Sequence, residues 1–151
     1  MIIAVDFDGT IVEHAYPKIG KPIPFALDVL KKLQLKEQHK LLLWTVREGE
    51  LLEEAVEYCS KNGVTFYAVN KNYPEEETGD SPRKLVADVF IDDKNIGGLP
   101  DWGIIYKAIL SDSIYFSDID DYITDNNKPK KKKNLFIRLG EAWEASQRYK
   151  R

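Results

Sequence analysis

The fold of this chain is constrained most by an alternation of short apolar stretches with longer amphipathic ones. Four stretches have the length and the branched or aromatic content of buried parallel strands. They are MIIAV, KLLLWT, VTFYAVN and VADVFID, which begin at Met1, Lys40, Val64 and Val86. Helical patterns separate most of them, and this order favours right-handed crossovers into one parallel sheet. The alternation therefore predicts an α/β fold.

Three segments carry apolar residues at helical spacing. They run from Phe25 to Leu35, from Glu50 to Asn62 and from Asp101 to Leu110. Gly63 is a stop signal for the second helix, and Asp101 is a candidate N-cap for the third. We therefore predict a three-layer, Rossmann-like parallel sheet with helices on both faces. Residues 11–24 are too rich in proline and glycine for a long helix, so they predict a short flap and only a minimal cap.

Composition excludes few functions but narrows the setting. The 151 residues carry a net charge of -3, so overall charge does not argue for binding to nucleic acid or membranes. The apolar runs are too short to span a bilayer, and the first one lacks a basic leader. Because Cys59 is the only cysteine, no internal disulfide can form, and we expect this thiol to have a packing role. A cytoplasmic protein is the expectation.

The core pattern covers residues 1–110 and is followed by a C-terminal extension, residues 111–151, of different composition. A basic run in the extension, KPKKKK, could attract phosphate-rich polymers, although a solvated linker is the more typical role. Leu135 to Tyr149 is predicted to form an extra amphipathic helix. We expect this helix to pack through Trp143 on its own subunit or on a neighbour, which would make a homo-oligomer.

Four carboxylates follow the ends of two predicted strands. Asp6 and Asp8 lie in DFDGT, and Asp92 and Asp93 lie in IDDKN. Ligand sites of parallel sheets lie beyond the carboxyl ends of the strands, so we expect the four side chains to converge. Without a counter-charge they would repel one another and partly protonate. A divalent cation removes this conflict, and purely oxygen ligands favour Mg²⁺.

With these motifs in this order, residues 1–110 resemble the haloacid dehalogenase-like (HAD) hydrolases, most of which are phosphatases. DFDGT matches the first motif of that superfamily, LLLWT matches the second, which ends in Thr or Ser, and IDD matches the acidic fourth. Lys84 is the best candidate for the third motif, and Arg83 and Lys94 are rivals.

The resemblance implies a Mg²⁺-dependent phosphatase that hydrolyses a phosphate monoester. Asp6 would be the nucleophile that forms a phosphoaspartate, and Asp8 would be the general acid and base. Mg²⁺ would be bound by Asp6, by the backbone carbonyl of Asp8 and by Asp93, with Asp92 in a supporting role.

The same resemblance implies residues that bind the substrate. Thr45 and Lys84 would bind the phosphoryl oxygens, and Gly9 would let the backbone approach them closely. Thr10 can tie down the loop that carries the first motif. Arg47 lies two residues past Thr45, where it could meet a second anionic group of the substrate or form a surface ion pair.

Other functions remain open at this point. The minimal cap and the lysine run suggest a nucleotide or nucleic-acid-end phosphatase as an alternative to a small-molecule phosphatase. A receiver-like phosphoryl-binding module also uses clustered acids, a threonine and a lysine. However, its acidic pair comes first along the chain, whereas DFDGT comes first here. A catalytically idle scaffold fits poorly with the complete set of acids.

Overall fold

The computed structural model describes residues 1–77 and 84–111, which belong to one compact unit. The linker and helix expected in the C-terminal extension, and Arg83, lie outside the described residues. The elements in chain order are β1 (Ile2–Val5), α1 (Ala26–Leu35), β2 (Lys40–Leu43), α2 (Gly49–Lys61), β3 (Ala68–Val69), β4 (Val89–Ile91) and α3 (Trp102–Leu110).

The strands form one parallel sheet in the order β3-β2-β1-β4. Strand β1 lies inside the sheet, where Ile3 pairs with Leu41 of β2 on one side and with Val89 of β4 on the other. Its residues Ile3, Ala4 and Val5 are almost completely buried, as expected for a strand covered on both faces. The predicted parallel α/β fold is confirmed.

The two faces of the sheet are covered differently. All three described helices contribute buried residues to the core on the face of Ile3 and Val5. Successive right-handed crossovers from β1 to β2 to β3 advance in one direction, which places α1 and α2 on the same face. On the opposite face, Ala4 and Leu42 pack with Leu85, which precedes β4 and lies outside any helix. None of the helices in the described part of the chain is long and apolar enough to cross a membrane.

Element boundaries follow local signals with one exception. Gly63 has a φ of +80° and ends α2, and Asp101 caps α3 by accepting a hydrogen bond from the Gly103 N–H at 2.8 Å. Strand β3 is shorter than the predicted 64–70 stretch. The Thr65 backbone N–H and C=O bind the side chain of Gln34 in α1, at 3.2 and 2.9 Å, and therefore do not join the sheet ladder.

A short flap follows β1 in place of a folded cap. Its two arms meet where the Glu13 N–H donates to the Lys21 C=O at 2.7 Å and where Val12 bridges to Pro22. Gly20 makes this close approach possible, since a Cβ at this position would lie 1.9 Å from the Glu13 oxygen. The flap, residues 13–21, is the part of the described chain that returns β1 toward α1.

Candidate functional site

The polar residues at the carboxyl ends of the strands are held by the sheet itself. Asp6 follows β1, and its N–H donates to the C=O of Ile91, the last residue of β4, at 3.0 Å. The Trp44 N–H donates to the Val5 C=O at 2.9 Å and extends the β1–β2 pairing by one step. The sheet thus aligns Asp6, Thr45 and Asp92 along one edge, as expected from the sequence.

Three of the four expected acids form a cluster. Carboxylate oxygens of Asp6, Asp92 and Asp93 all lie within 4.8 Å of one another, and each residue is half-buried. The Asp92 Oδ1 accepts a hydrogen bond from the Lys94 N–H at 2.7 Å, which fixes the turn after β4. The Asp93 Oδ1 is buried and has no hydrogen-bond partner in the described structure. A buried carboxylate oxygen without a partner beside two other carboxylates fits a cation ligand.

The charge of this cluster is only partly compensated. Burial chiefly, and the neighbouring Asp92, Asp93 and Asp8 in addition, raise the pKa of Asp6 to about 6, although a backbone hydrogen bond from Phe7 offsets part of this effect. The Lys94 ammonium contacts the Asp93 Oδ2, and this hydrogen bond raises the pKa of Lys94. Three carboxylates against one ammonium leave two negative charges, which matches one divalent cation.

Thr10 and Gly9 connect the first motif to the acidic pair. The Thr10 hydroxyl donates to the Asp6 Oδ2 at 3.4 Å and accepts from the Asp93 N–H at 3.0 Å. Its backbone C=O accepts from the Trp102 indole N–H at 3.1 Å. Gly9 has a φ of +91°, and a Cβ there would lie 2.5 Å from the Asp93 Oδ2. The glycine therefore makes room for the Asp93 carboxylate, a reason that sequence reasoning had not supplied.

The fourth acid, Asp8, is engaged elsewhere. Its carboxylate accepts two hydrogen bonds from the guanidinium of Arg47, from Nε at 2.6 Å and from Nη2 at 2.7 Å. The side chains of Asp8 and Arg47 are 5% and 0% exposed, so this is a buried bidentate ion pair. The expectation that Arg47 forms a surface ion pair is wrong, because the flap covers it.

Arg47 also binds the flap. It donates to the backbone C=O groups of Pro17 at 3.0 Å and Lys18 at 2.9 Å. Its guanidinium carbon lies 5.0 Å from the centre of the Phe7 ring and 5.4 Å from that of Tyr16. Every nitrogen of the guanidinium thus has a partner within the protein, and in this state Arg47 does not present a donor to a substrate.

The remaining expected residues are placed unequally. Thr45 lies at the site edge, where its hydroxyl oxygen accepts from the Arg47 N–H at 3.3 Å. The Lys84 ammonium lies over the ring of Phe90 at 5.0 Å, whereas the rival Lys94 lies within the acid cluster. Sequence reasoning missed Asn70, whose side-chain oxygen accepts from the Thr45 N–H at 2.9 Å. Its φ of +51°, a conformation that asparagine tolerates, was the available signal.

Comparisons with known proteins add a family and no activity. No protein-family model and no curated protein matches the sequence. The solved structure of a conserved protein from Bacteroides thetaiotaomicron is 64% identical to this chain, covers 79% of this chain and 96% of its own, and has a TM-score of 0.72. The chain therefore belongs to the same family as this conserved Bacteroides thetaiotaomicron protein.

Proposed function

We propose that the protein is a Mg²⁺-dependent phosphatase of the HAD type, which hydrolyses a phosphate monoester through a phosphoaspartate on Asp6. The observation that carries this proposal is the convergence of Asp6, Asp92 and Asp93 around the partnerless Asp93 Oδ1. Such a cluster needs a cation to remain ionised, and phosphoryl transfer needs one to neutralise the charge of the phosphoryl oxygens.

The residues that would hold Mg²⁺ are Asp6, Asp93 and the backbone carbonyl of Asp8. Asp92 is better suited to a supporting role, since its Oδ1 is engaged by the turn after β4. When bound, Mg²⁺ supplies positive charge that draws the phosphoryl group toward Asp6. This oxygen-only set of ligands is the type that Mg²⁺ prefers.

Asp6 is the residue best placed to attack phosphorus. It sits directly after the central strand, and the hydrogen bond from Thr10 restrains its carboxylate. With a pKa of about 6 it is mostly ionised at neutral pH, yet burial leaves it poorly hydrated. An ionised, restrained carboxylate is a suitable nucleophile for a two-step displacement.

Two groups at the rim would bind the phosphoryl oxygens. The Thr45 hydroxyl accepts from the Arg47 N–H, which leaves its proton to donate to an anionic oxygen. Contacts within the cluster favour Lys94 over Lys84 as the second group, because Lys94 already lies against Asp93. We expect Lys94→Met to raise KM for a phosphate ester by more than Lys84→Met does. The opposite order would assign this role to Lys84.

Asp8 would serve as general acid and base, as the resemblance implies, only after leaving Arg47. The proposal for Asp6 does not depend on that step. If Asp8 stays on Arg47, the phosphoaspartate would hydrolyse slowly, and the protein would act as a phosphoryl-binding module of the receiver type. The lifetime of the phosphoprotein separates the two functions, since a module would hold the phosphoryl group well beyond the turnover time of an enzyme.

The experiment that tests the proposal measures phosphate release during a Mg²⁺ titration of chelator-treated protein. Because the short flap leaves room for large substrates, phosphorylated oligonucleotides and nucleotides belong among the esters tested. We expect release that saturates with Mg²⁺ and is abolished in Asp6→Asn. Asp28→Asn, on the exposed side of α1, is the matched control and should retain activity. Full activity in chelator would refute the role of the metal.

A further inference from the structure

We infer that the phosphoryl group this site accepts is carried by an oxygen that departs as a stable anion, as in an acyl phosphate or a phosphoanhydride. This inference rests on the proposed function and specifies its class of substrate. The observation behind it is that Asp8, the residue expected to protonate the leaving oxygen, is held by Arg47 through both of its carboxylate oxygens.

The geometry of the pair leaves no place for a transferable proton. Arginine is a donor only, so each Asp8 oxygen that meets it must act as an acceptor. The two contacts, at 2.6 and 2.7 Å, occupy both oxygens at once. For Asp8 to carry a proton toward a leaving group, it would have to give up at least one of these hydrogen bonds.

The surroundings of the pair oppose such a release. Arg47 is fully buried, and the flap carbonyls of Pro17 and Lys18 hold its other donors. The rings of Phe7 and Tyr16 flank the guanidinium. Withdrawing Asp8 would leave a buried guanidinium without its counter-charge, which is a strongly unfavourable state. The pair is therefore a stable part of the site.

The reaction balances without a proton from Asp8 when the leaving group is an anion. An Asp6 oxygen forms a bond to phosphorus, and the bond from phosphorus to the leaving oxygen breaks with its electron pair on that oxygen. In the second step a water oxygen bonds to phosphorus, and the Asp6 carboxylate departs as an anion. The water proton passes to the phosphate or to solvent. An alkoxide, in contrast, would need a proton in order to leave.

The expected selectivity is large. General acid catalysis is typically worth about 10²–10⁴-fold in rate. A site that lacks it should lose a factor of this order on an alkyl ester and little on an ester whose leaving oxygen is already stable as an anion. The discrimination should appear in kcat, because it concerns the breaking bond.

The experiment uses the full chain with Mg²⁺ and three monoesters of similar size: 4-nitrophenyl, phenyl and benzyl phosphate. We expect kcat to fall along this series, by at least about 10²-fold from the first to the last. Acetyl phosphate and a nucleoside diphosphate then show which activated class is accepted. Hydrolysis of all three monoesters within a factor of ten would overturn the inference and leave the proposed function intact. Hydrolysis of none would overturn both.

Arg47→Lys tests whether the ion pair causes the selectivity. Lysine keeps a positive charge but cannot hold both Asp8 oxygens in a fork. We expect the ratio of 4-nitrophenyl to benzyl turnover to narrow, because Asp8 gains freedom to donate. A folded Arg47→Lys protein with the wild-type ratio would overturn the role given to the pair. If this variant does not fold, the wild-type series decides the inference.

Discussion

Replacing Arg47 by methionine should destabilise the protein strongly. The substitution keeps much of the side-chain volume but leaves the Asp8 carboxylate, 5% exposed, without a counter-charge. Removing one partner of a buried ion pair typically lowers the free energy of unfolding by about 3–5 kcal/mol. For a chain of this size that corresponds to a fall in Tm of roughly 6–20 °C. The lost hydrogen bonds to Pro17 and Lys18 act in the same direction.

Urea unfolding at neutral pH measures this change, and two further variants identify its cause. In Arg47→Met with Asp8→Leu neither charge remains, so at least about 2 kcal/mol of the loss should be recovered. Lys31→Met breaks an exposed pair with Asp28, whose side chains are 37% and 65% exposed, and should change stability by less than about 1 kcal/mol. If Arg47→Met is as mild as Lys31→Met, the Asp8–Arg47 pair is not the buried interaction described here.

Three other predictions concern the acid cluster. Gly9→Ala should weaken Mg²⁺ binding measured by calorimetry, because its Cβ would meet Asp93, whereas Gly97→Ala, at the same φ of +91° but in open space, should leave binding unchanged. Thr10→Val should lower the free energy of unfolding by about 1–3 kcal/mol more than Thr10→Ser, which keeps the hydroxyl. The raised pKa of Asp6 favours the metal-free fold below pH 4, and this advantage is lost as pH rises through about 6. Asp6→Asn should therefore raise the Tm of metal-free protein more at pH 7.5 than at pH 4.5, and an equal rise at both would contradict the assignment.

The sheet and the acid cluster were predictable from sequence for a physical reason. Parallel strands separated by helices end at a common edge, so residues placed just after two such strands must meet. This rule brought Asp6 together with Asp92 and Asp93 without any knowledge of side-chain contacts. Local signals were equally direct, as with Asp101, which caps α3 as expected.

The Asp8–Arg47 pair was not predictable in the same way. The two residues are 39 positions apart, and neither periodicity nor a strand end relates their side chains. The pair depends on the flap, whose carbonyls complete the arginine's hydrogen bonds, and the path of an irregular segment is poorly specified by its sequence. The short β3 has a similar origin, since a glutamine from α1 takes the backbone groups of Thr65. Long-range polar contacts of this kind become visible only in the folded chain.

The central claim is that Asp6 accepts a phosphoryl group in a Mg²⁺-dependent step. Intact-mass analysis after rapid acid quench tests it directly, with acetyl phosphate as donor. The account predicts one phosphoryl adduct in wild-type protein with Mg²⁺, and none in chelator or in Asp6→Asn. An adduct that persists in folded Asp6→Asn, or that forms equally well in chelator, would contradict the account.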